Sequence, residues 1–435
     1  MPGRKKIIFL FFALFLFRLF FGLQQSHWAD YDERQSYLTG LKFYTTGAWP
    51  AFGPDAAGSE SSYYSQIPGA LEGLVIGLPL YALPIPEAPF ILVNLLSAGG
   101  IFLLAWYIHR RLPRLSFLWL CLWISVAPWS INYPSHISNM SYLFFSGILF
   151  FIGFLESVPL FSLEVIPLPW ANTFMGFSLF WCMQFHLSYT FLVPFAAFSM
   201  VTQLKDRPRL RPLFFFLLGA LAPFSFALPT YLQYGFSRIN SHSGFFTLLN
   251  WNNILSPHIL LARFLSLGCF EVPSFIGAHT ADRIHFLLSH PGILLPGAFL
   301  WIGGILQALA LLFSWFKKGS EVPGWKEMKW LLAAAFGVVY GSFWFTIKPP
   351  LSHIYLIFFP LIMIYSCYVW NFFAGDPRLR RLAKIFVVLG VCFQLGYAMA
   401  VEPKDSVWAQ RSLIAKAIAE KNYHVVGERS PGSLY

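Results

Sequence analysis

Apolar residues in this chain gather in blocks long enough to cross a bilayer, separated by short polar stretches. Ile7 to Leu23 is almost unbroken Phe, Leu and Ile, preceded by Arg4, Lys5 and Lys6. Similar blocks occupy 88–108, 115–131, 140–155, 167–184, 187–203, 212–232, 292–316, 330–347, 354–373 and 382–401. Each approaches the roughly 20 residues that a helix needs to span the hydrocarbon core. The pattern predicts an all-α polytopic membrane protein with about 11 transmembrane helices.

The basic residues set the topology. They cluster at Arg4–Lys6, His109–Arg111 with Arg114, Lys205–Arg211, Lys317–Lys318 with Lys326 and Lys329, and Arg378–Lys384. If all five clusters face the cytoplasm, an even number of crossings separates each consecutive pair. Eleven spans satisfy this, with a cytoplasmic N-terminus and an extracytoplasmic C-terminus. Segment 68–83 is apolar but roughly 16 residues long, and it contains Glu72, Pro79 and three glycines. Counting it as a crossing would invert the next basic cluster, so it is expected to lie in the outer interface. Loop 156–166 falls on the cytoplasmic side without any Lys or Arg to mark it.

Two long outer loops result, 24–87 and 233–291, within one polytopic transmembrane domain over 1–401. The tail 402–435 is too short to fold alone. Its Val407 to Ala419 has helical apolar spacing and is expected on the outer face. Shorter outer turns surround Asn132–His136, Gln184–His186 and Lys348–His353. The polar residues therefore concentrate on one side of the membrane.

Composition sharpens the class. Hydrophobic residues make up 57% of 435 positions and charged ones 11%, against about 25% charged in a soluble chain. The net charge of +11 comes from topology clusters and is no nucleic-acid signal. Five scattered cysteines give neither a disulfide framework nor metal-ligand spacing. No small-residue cleavage site follows the first apolar block, which reads as a retained anchor.

The sharpest chemical feature follows that anchor. Asp30, Asp32 and Glu33 lie within four residues of one another, in a chain with 19 acidic residues in all. Carboxylates beside a bilayer are costly unless they do chemistry or bind a cation. One can act as general base toward an acceptor hydroxyl or amine, or hold a divalent cation against a phosphate. The bland alternative is helix capping with a salt bridge to Arg34 or Lys42. Arg18, inside the first span, is expected to pair with a carboxylate or to snorkel.

The order of motifs downstream resembles the first outer loop of the GT-C membrane glycosyltransferases, in the branch that includes the protein O-mannosyltransferases and the lipid A aminoarabinose transferases. The matching elements are Asp32-Glu33 opening an interfacial helix, the Gly47-Ala48-Trp49-Pro50 turn, and Pro68-Gly69 on a second interfacial helix. Gln184-Phe185-His186-Leu187-Ser188 and Ser352-His353-Ile354-Tyr355 add to the likeness. Two positions depart from it. Gln66 stands near the place where relatives commonly carry a Lys, and Asn139 near the place of an acidic residue.

The resemblance implies an inverting transfer of sugar from a polyprenyl phosphate to a protein, lipid or glycan acceptor outside the cytoplasmic membrane. Asp32 would be the base, with Glu33 and Asp30 in support. Lys348, His353, Tyr355, His186, Arg238, Arg263 and Gln66 would bind the substrate and its anionic phosphate. Each of the cationic candidates has a structural alternative: snorkelling for Lys348, ion pairing for the arginines, a satisfied role for His186. No cofactor is implied beyond a divalent cation. Acceptor recognition would fall to the loops or to a membrane partner protein. Three other classes remain open: a glycan polymerase or ligase using its late outer loop, a lipid-linked sugar flippase or transporter, and a non-catalytic assembly subunit.

Overall fold

The computed structural model describes residues 3–25, 31–55, 66–206, 210–235, 249–277, 279–316, 322–346, 351–400 and 407–426. Helix α1 (Arg4–Gln25) leads into α2 (Tyr31–Thr46), which is followed by a small antiparallel hairpin of β1 (Phe52–Asp55) and β2 (Gln66–Pro68). Next come α3 (Leu71–Ala82) and the long α4 (Ala88–Arg111). At 12 residues, α3 is too short to span a bilayer. It packs along α2, and together with the hairpin they form a platform at one end of the bundle.

The third apolar segment breaks into α5 (Phe117–Val126) and α6 (Pro128–Asn132). Ala127 is extended, with ψ 126°, as expected for a residue preceding proline. A 3₁₀ turn, Asn139–Tyr142, then opens α7 (Leu143–Ser157). Helices α8 (Leu168–Met183), α9 (Val193–Asp206) and α10 (Arg211–Tyr234) follow. The second long loop folds into short helices: α11 (Trp251–Ile254), α12 (Pro257–Leu265), α13 (Val272–Phe275) and α14 (Thr280–Ser289). The remainder is α15 (Pro291–Trp315), α16 (Trp325–Phe343), α17 (Ser352–Tyr355), α18 (Phe359–Phe373), α19 (Pro377–Ala400) and α20 (Val407–Ala419).

Among the described residues eight helices are long and apolar enough to cross a membrane, and the pair α12 with 269–275, bent by 112°, would make a ninth. The remaining predicted segments are helical too: α5 and α6 are short, α8 has 16 residues, and α16 carries Lys326, Glu327 and Lys329 in its first turns.

Packing explains several features. Helices α8 and α10 touch backbone to backbone. A Cβ on Gly176 would stand 1.9 Å from Phe216 O, and one on Gly219 would stand 2.0 Å from Thr173 O. In lipid there is little hydrophobic drive between helices, so such close small-residue contacts hold them together. Gly219→Val is therefore expected to cost at least about 1–3 kcal/mol, read as a shorter half-life on heating in detergent.

Arg18 corrects an expectation. Among the described residues it pairs with no carboxylate, and it does not snorkel. It is fully buried and donates to the backbone carbonyls of Ser130 (2.6 Å) and Pro134 (3.1 Å). Those carbonyls are available because α6 ends there, so one buried cation pins the turn after α6 against α1. At the opposite end Arg111 Nη1 pairs with Glu156 Oε1 at 2.9 Å. That contact places loop 156–166, which has no basic residue of its own, at the same end as the His109–Arg111 cluster.

The tail helix α20 buries Val407, Ile414, Ala417 and Ile418. Around it Arg411 pairs with Glu87, and Lys421 Nζ lies 4.1 Å from the Tyr44 ring centroid. The tail thus packs against the platform.

Candidate active site

The platform brings buried polar groups together around Glu72. Helix α2 positions Ser36, whose Oγ donates to Glu72 Oε1 at 2.5 Å. Glu72 itself is fully buried in the first turn of α3. The hairpin passes so close that a Cβ on Gly53 would lie 2.5 Å from Glu72 Oε2. Gly69, at φ +133°, turns the chain from β2 into α3 and seats against Gln184, where a Cβ would meet the amide at 2.4–2.7 Å. Only glycine meets both demands there. Gln184 donates to Pro223 O at 2.6 Å, tying the turn after α8 to α10.

Several side chains of this region are buried without hydrogen-bond partners among the described residues. They are both amide atoms of Gln35 and of Gln66, Asn139 Oδ1, Tyr142 Oη and Gln184 Oε1. An orphaned buried polar group costs about 1–3 kcal/mol. Several in one region mark a place that water or a polar ligand completes.

A second cluster lies around Glu271. Arg263 Nε is 3.2 Å from Glu271 Oε1, Trp129 Nε1 donates to Oε2 at 2.8 Å, and Ser352 Oγ donates to Oε1. Ser352 Oγ lies 3.1 Å from Tyr355 Oη, and the Tyr355 ring packs edge-on against Trp129. Tyr133 sits beside this group. Burial first, then Glu271 and Tyr355, raise its phenol well above the ordinary range, so it stays protonated and can donate.

Segment 128–142 joins the two clusters. Its start supplies Trp129 to Glu271. Its middle supplies His136, whose Nε2 lies 3.9 Å from Glu33 Oε1. Its end supplies Tyr142, which stacks on Phe185 at 4.9 Å. The segment is held by Asn94 Nδ2 to Ser135 O (2.8 Å), Ser97 Oγ to Pro134 O (2.8 Å) and Arg18.

The candidates named from sequence fall as follows. Glu33 is buried and faces His136 rather than Arg34 or Lys42. Arg34 instead donates to Val426 O, and Lys42 lies over the Tyr423 ring. Asp32 belongs to the first turn of α2, but its side chain, like Asp30, Arg238 and Lys348, lies outside the described residues. Gln66 is buried in β2. Arg263 and Tyr355 are brought together through Glu271 and Ser352, with the Arg263 charge engaged by Glu271. His186 and His353 face each other edge-on, ring centroids 6.1 Å apart. Among the described residues no three His, Cys, Asp or Glu side chains converge as a metal site.

Sequence reasoning missed Glu271, Ser352, Tyr133 and His136. The available signal was a lone Glu271 between Phe270 and Val272, an acid in an apolar run that must have a partner.

Burial, then His353, pushes the His186 imidazole down to about 3, so it is neutral at pH 7. An imidazole lowered in the fold opposes protonation. Its stabilising effect is complete above about 6.5 and is lost as pH falls toward about 3. The stability gap between wild type and His186→Gln is expected to narrow or invert between pH 7 and pH 4, followed by thermal unfolding at each pH.

Among solved structures the chain is similar to ArnT from Cupriavidus metallidurans bound to undecaprenyl phosphate, with a TM-score of 0.50 and 12% identity over 98% of this chain and 78% of that one. No protein-family model matches, and no curated protein matches by sequence. The structural likeness establishes the fold: a polytopic all-α membrane protein of the GT-C type.

Proposed function

We propose that this protein transfers a sugar from a polyprenyl-phosphate donor to an acceptor at the membrane surface, with inversion at the sugar carbon. The observation that carries the reading is the group of buried, unsatisfied polar side chains at the platform end: Gln35, Gln66, Asn139, Tyr142 and Gln184. Sugar hydroxyls and a phosphate are the kind of polar ligand that would supply the missing partners. The likeness to ArnT, solved with undecaprenyl phosphate, supports a donor of that class. The platform would face the extracytoplasmic side of a bacterial inner membrane, in keeping with an even number of crossings between successive basic clusters.

In this mechanism Asp32 takes the proton of the acceptor hydroxyl or amine as the new bond to the sugar carbon forms. The bond from that carbon to the phosphate oxygen breaks, and the polyprenyl phosphate leaves as an anion. Glu33, held by His136, fixes the opening of α2 and so the position of Asp32. Lys348, Arg238 and His353 would meet the departing phosphate. Arg263 would act through its pair with Glu271 by holding the second loop against segment 128–142. The acceptor would be a protein, lipid or glycan recognised by loop 233–291 or by a membrane partner.

A flippase would need ionisable groups along its spans for the passing headgroup. The buried charges within the described spans, Arg18, Arg111 and Glu156, are each tied to protein groups, which favours the transferase.

The test uses the purified protein in lipid nanodiscs with a radiolabelled polyprenyl-phosphate sugar. Saturable binding, together with release of free polyprenyl phosphate when membrane extract supplies acceptors, is the expected result. Absence of binding by any prenyl-phosphate sugar would overturn the reading.

A further inference from the structure

The end of the bundle opposite the platform holds a second, chemically different site. Gln25, at the end of α1, donates to Tyr397 O near the end of α19, so α19 finishes at the platform and begins at the far end. Helix α15 runs antiparallel to it: Gly297 faces Phe393, and Gly303 faces Phe386. The last turns of α15 and the first turns of α19 therefore share the far end. There, between α5, α15, α18 and α19, lies a cavity of about 500 Å³. This is the size of a small-ligand site.

Its wall is almost wholly apolar. Trp119, Trp123 and Trp370 form one side, with the Trp119 and Trp370 rings stacked at 5.6 Å. Phe299, Leu306 and Phe386 form the other. The polar side chains on the lining turn their donors away: Ser366 Oγ bonds Ile362 O (2.8 Å), and Gln307 Nε2 bonds Leu265 O (3.1 Å). A hydrocarbon chain would find close partners along this wall.

The start of α19, at the edge of the cavity, is cationic. Leu379, Leu382 and Ala383 of α19 line the cavity. At 100° per residue Arg378 and Arg380 flank that face on either side in the first turn, while Arg381 and Lys384 lie farther around. All four are exposed, and among the described residues none is in an ion pair. The acidic residue there, Asp376, caps the helix by accepting from Arg378 N at 2.7 Å. Four cations against one carboxylate leave the mouth positive.

We infer that this cavity binds an anionic glycerophospholipid, one acyl chain among Trp119, Trp123 and Trp370 and the headgroup phosphate between Arg378 and Arg380. The charge at the mouth selects a phosphate-bearing lipid with net negative charge over a zwitterionic one. The distance from the platform separates the site from the sugar-transfer chemistry. Its occupant is a lipid of the leaflet at the far end, where anionic headgroups meet basic clusters.

The three tryptophans provide the readout. The full-length protein in detergent is titrated with phosphatidylglycerol carrying brominated acyl chains, which quench nearby indoles. Saturable quenching is expected in wild type and is expected to be largely lost in a W119F/W123F/W370F variant. Arg378→Gln with Arg380→Gln alters only exposed side chains and is expected to weaken binding about 10-fold. Ala383→Trp, which fills the cavity from the helix, is expected to abolish it. Equal quenching by brominated phosphatidylcholine, or quenching unmoved by the double Arg variant, would overturn the anionic-lipid assignment. So would displacement of the brominated lipid by long-chain polyprenyl phosphate at equal concentration, which would give the cavity to the donor's chain.

Discussion

Asp32→Asn is expected to leave donor-lipid binding within about twofold of wild type and to lower sugar transfer by at least about 100-fold, the lower end of what a positioned general base contributes. Helix α2 begins at Tyr31, so Asp32 sits in its first turn, where the helix dipole favours the ionised carboxylate. The next residue, Glu33, is buried and turned toward His136 on segment 128–142. One carboxylate is thereby tied to the scaffold, and its neighbour departs from the helix about 100° farther around. Glu33→Gln should act differently. It keeps the shape and weakens the charged contact to His136, so the expected loss is smaller, about 10-fold, and accompanied by a lower unfolding temperature. The discriminating measurement is binding and single-turnover transfer of a labelled polyprenyl-phosphate sugar by the two variants side by side. Full transfer by Asp32→Asn would remove the base assignment and return the acidic cluster to helix capping.

Much of this architecture was legible in the chain because the membrane imposes a coarse rule. Every span must satisfy its own backbone, and only a long apolar helix does so. Segment 68–83 was legible for the same reason: at 12 helical residues with Glu72 buried inside it, it packs along α2 instead of crossing. The break at Ala127 was hidden, because 115–131 is apolar throughout and only Pro128 hints at the fracture between α5 and α6.

The site was legible only in part, and the reason is distance in sequence. Glu33 and Gln66 were recognisable because they follow one another within a single loop. Glu271 gathers Trp129, Arg263 and Ser352 from positions 129 to 352, and no local spacing encodes such a convergence. Arg18 shows the same limit. Its charge within an apolar block demanded a partner, but the partners are the carbonyls of Ser130 and Pro134, and carbonyls leave no mark in a sequence.

At the end opposite the platform, removing either partner of the Arg111–Glu156 pair is expected to cost about 3–5 kcal/mol, the largest stability effect of any single substitution proposed for this chain. Both side chains are essentially inaccessible, at 1% and 0% exposure, so Glu156→Ala leaves a desolvated guanidinium and Arg111→Met a desolvated carboxylate. The double variant Arg111→Met with Glu156→Met should recover a large part of that loss, since neither buried charge remains. Full recovery is not expected, because the pair also serves neutral groups. Arg111 Nη2 donates to Phe161 O at 2.7 Å, Tyr107 Oη donates to Glu156 Oε1 at 2.6 Å, and Val165 N donates to Glu156 Oε2 at 3.0 Å. Each of these orphaned groups would retain about 1 kcal/mol or more of the cost. The double-mutant cycle measures the coupling directly, using unfolding half-lives of the four proteins in one detergent. A double variant no more stable than either single would mean that the two charges do not stabilise one another, and the placement of loop 156–166 beside the His109–Arg111 cluster would lose its energetic basis.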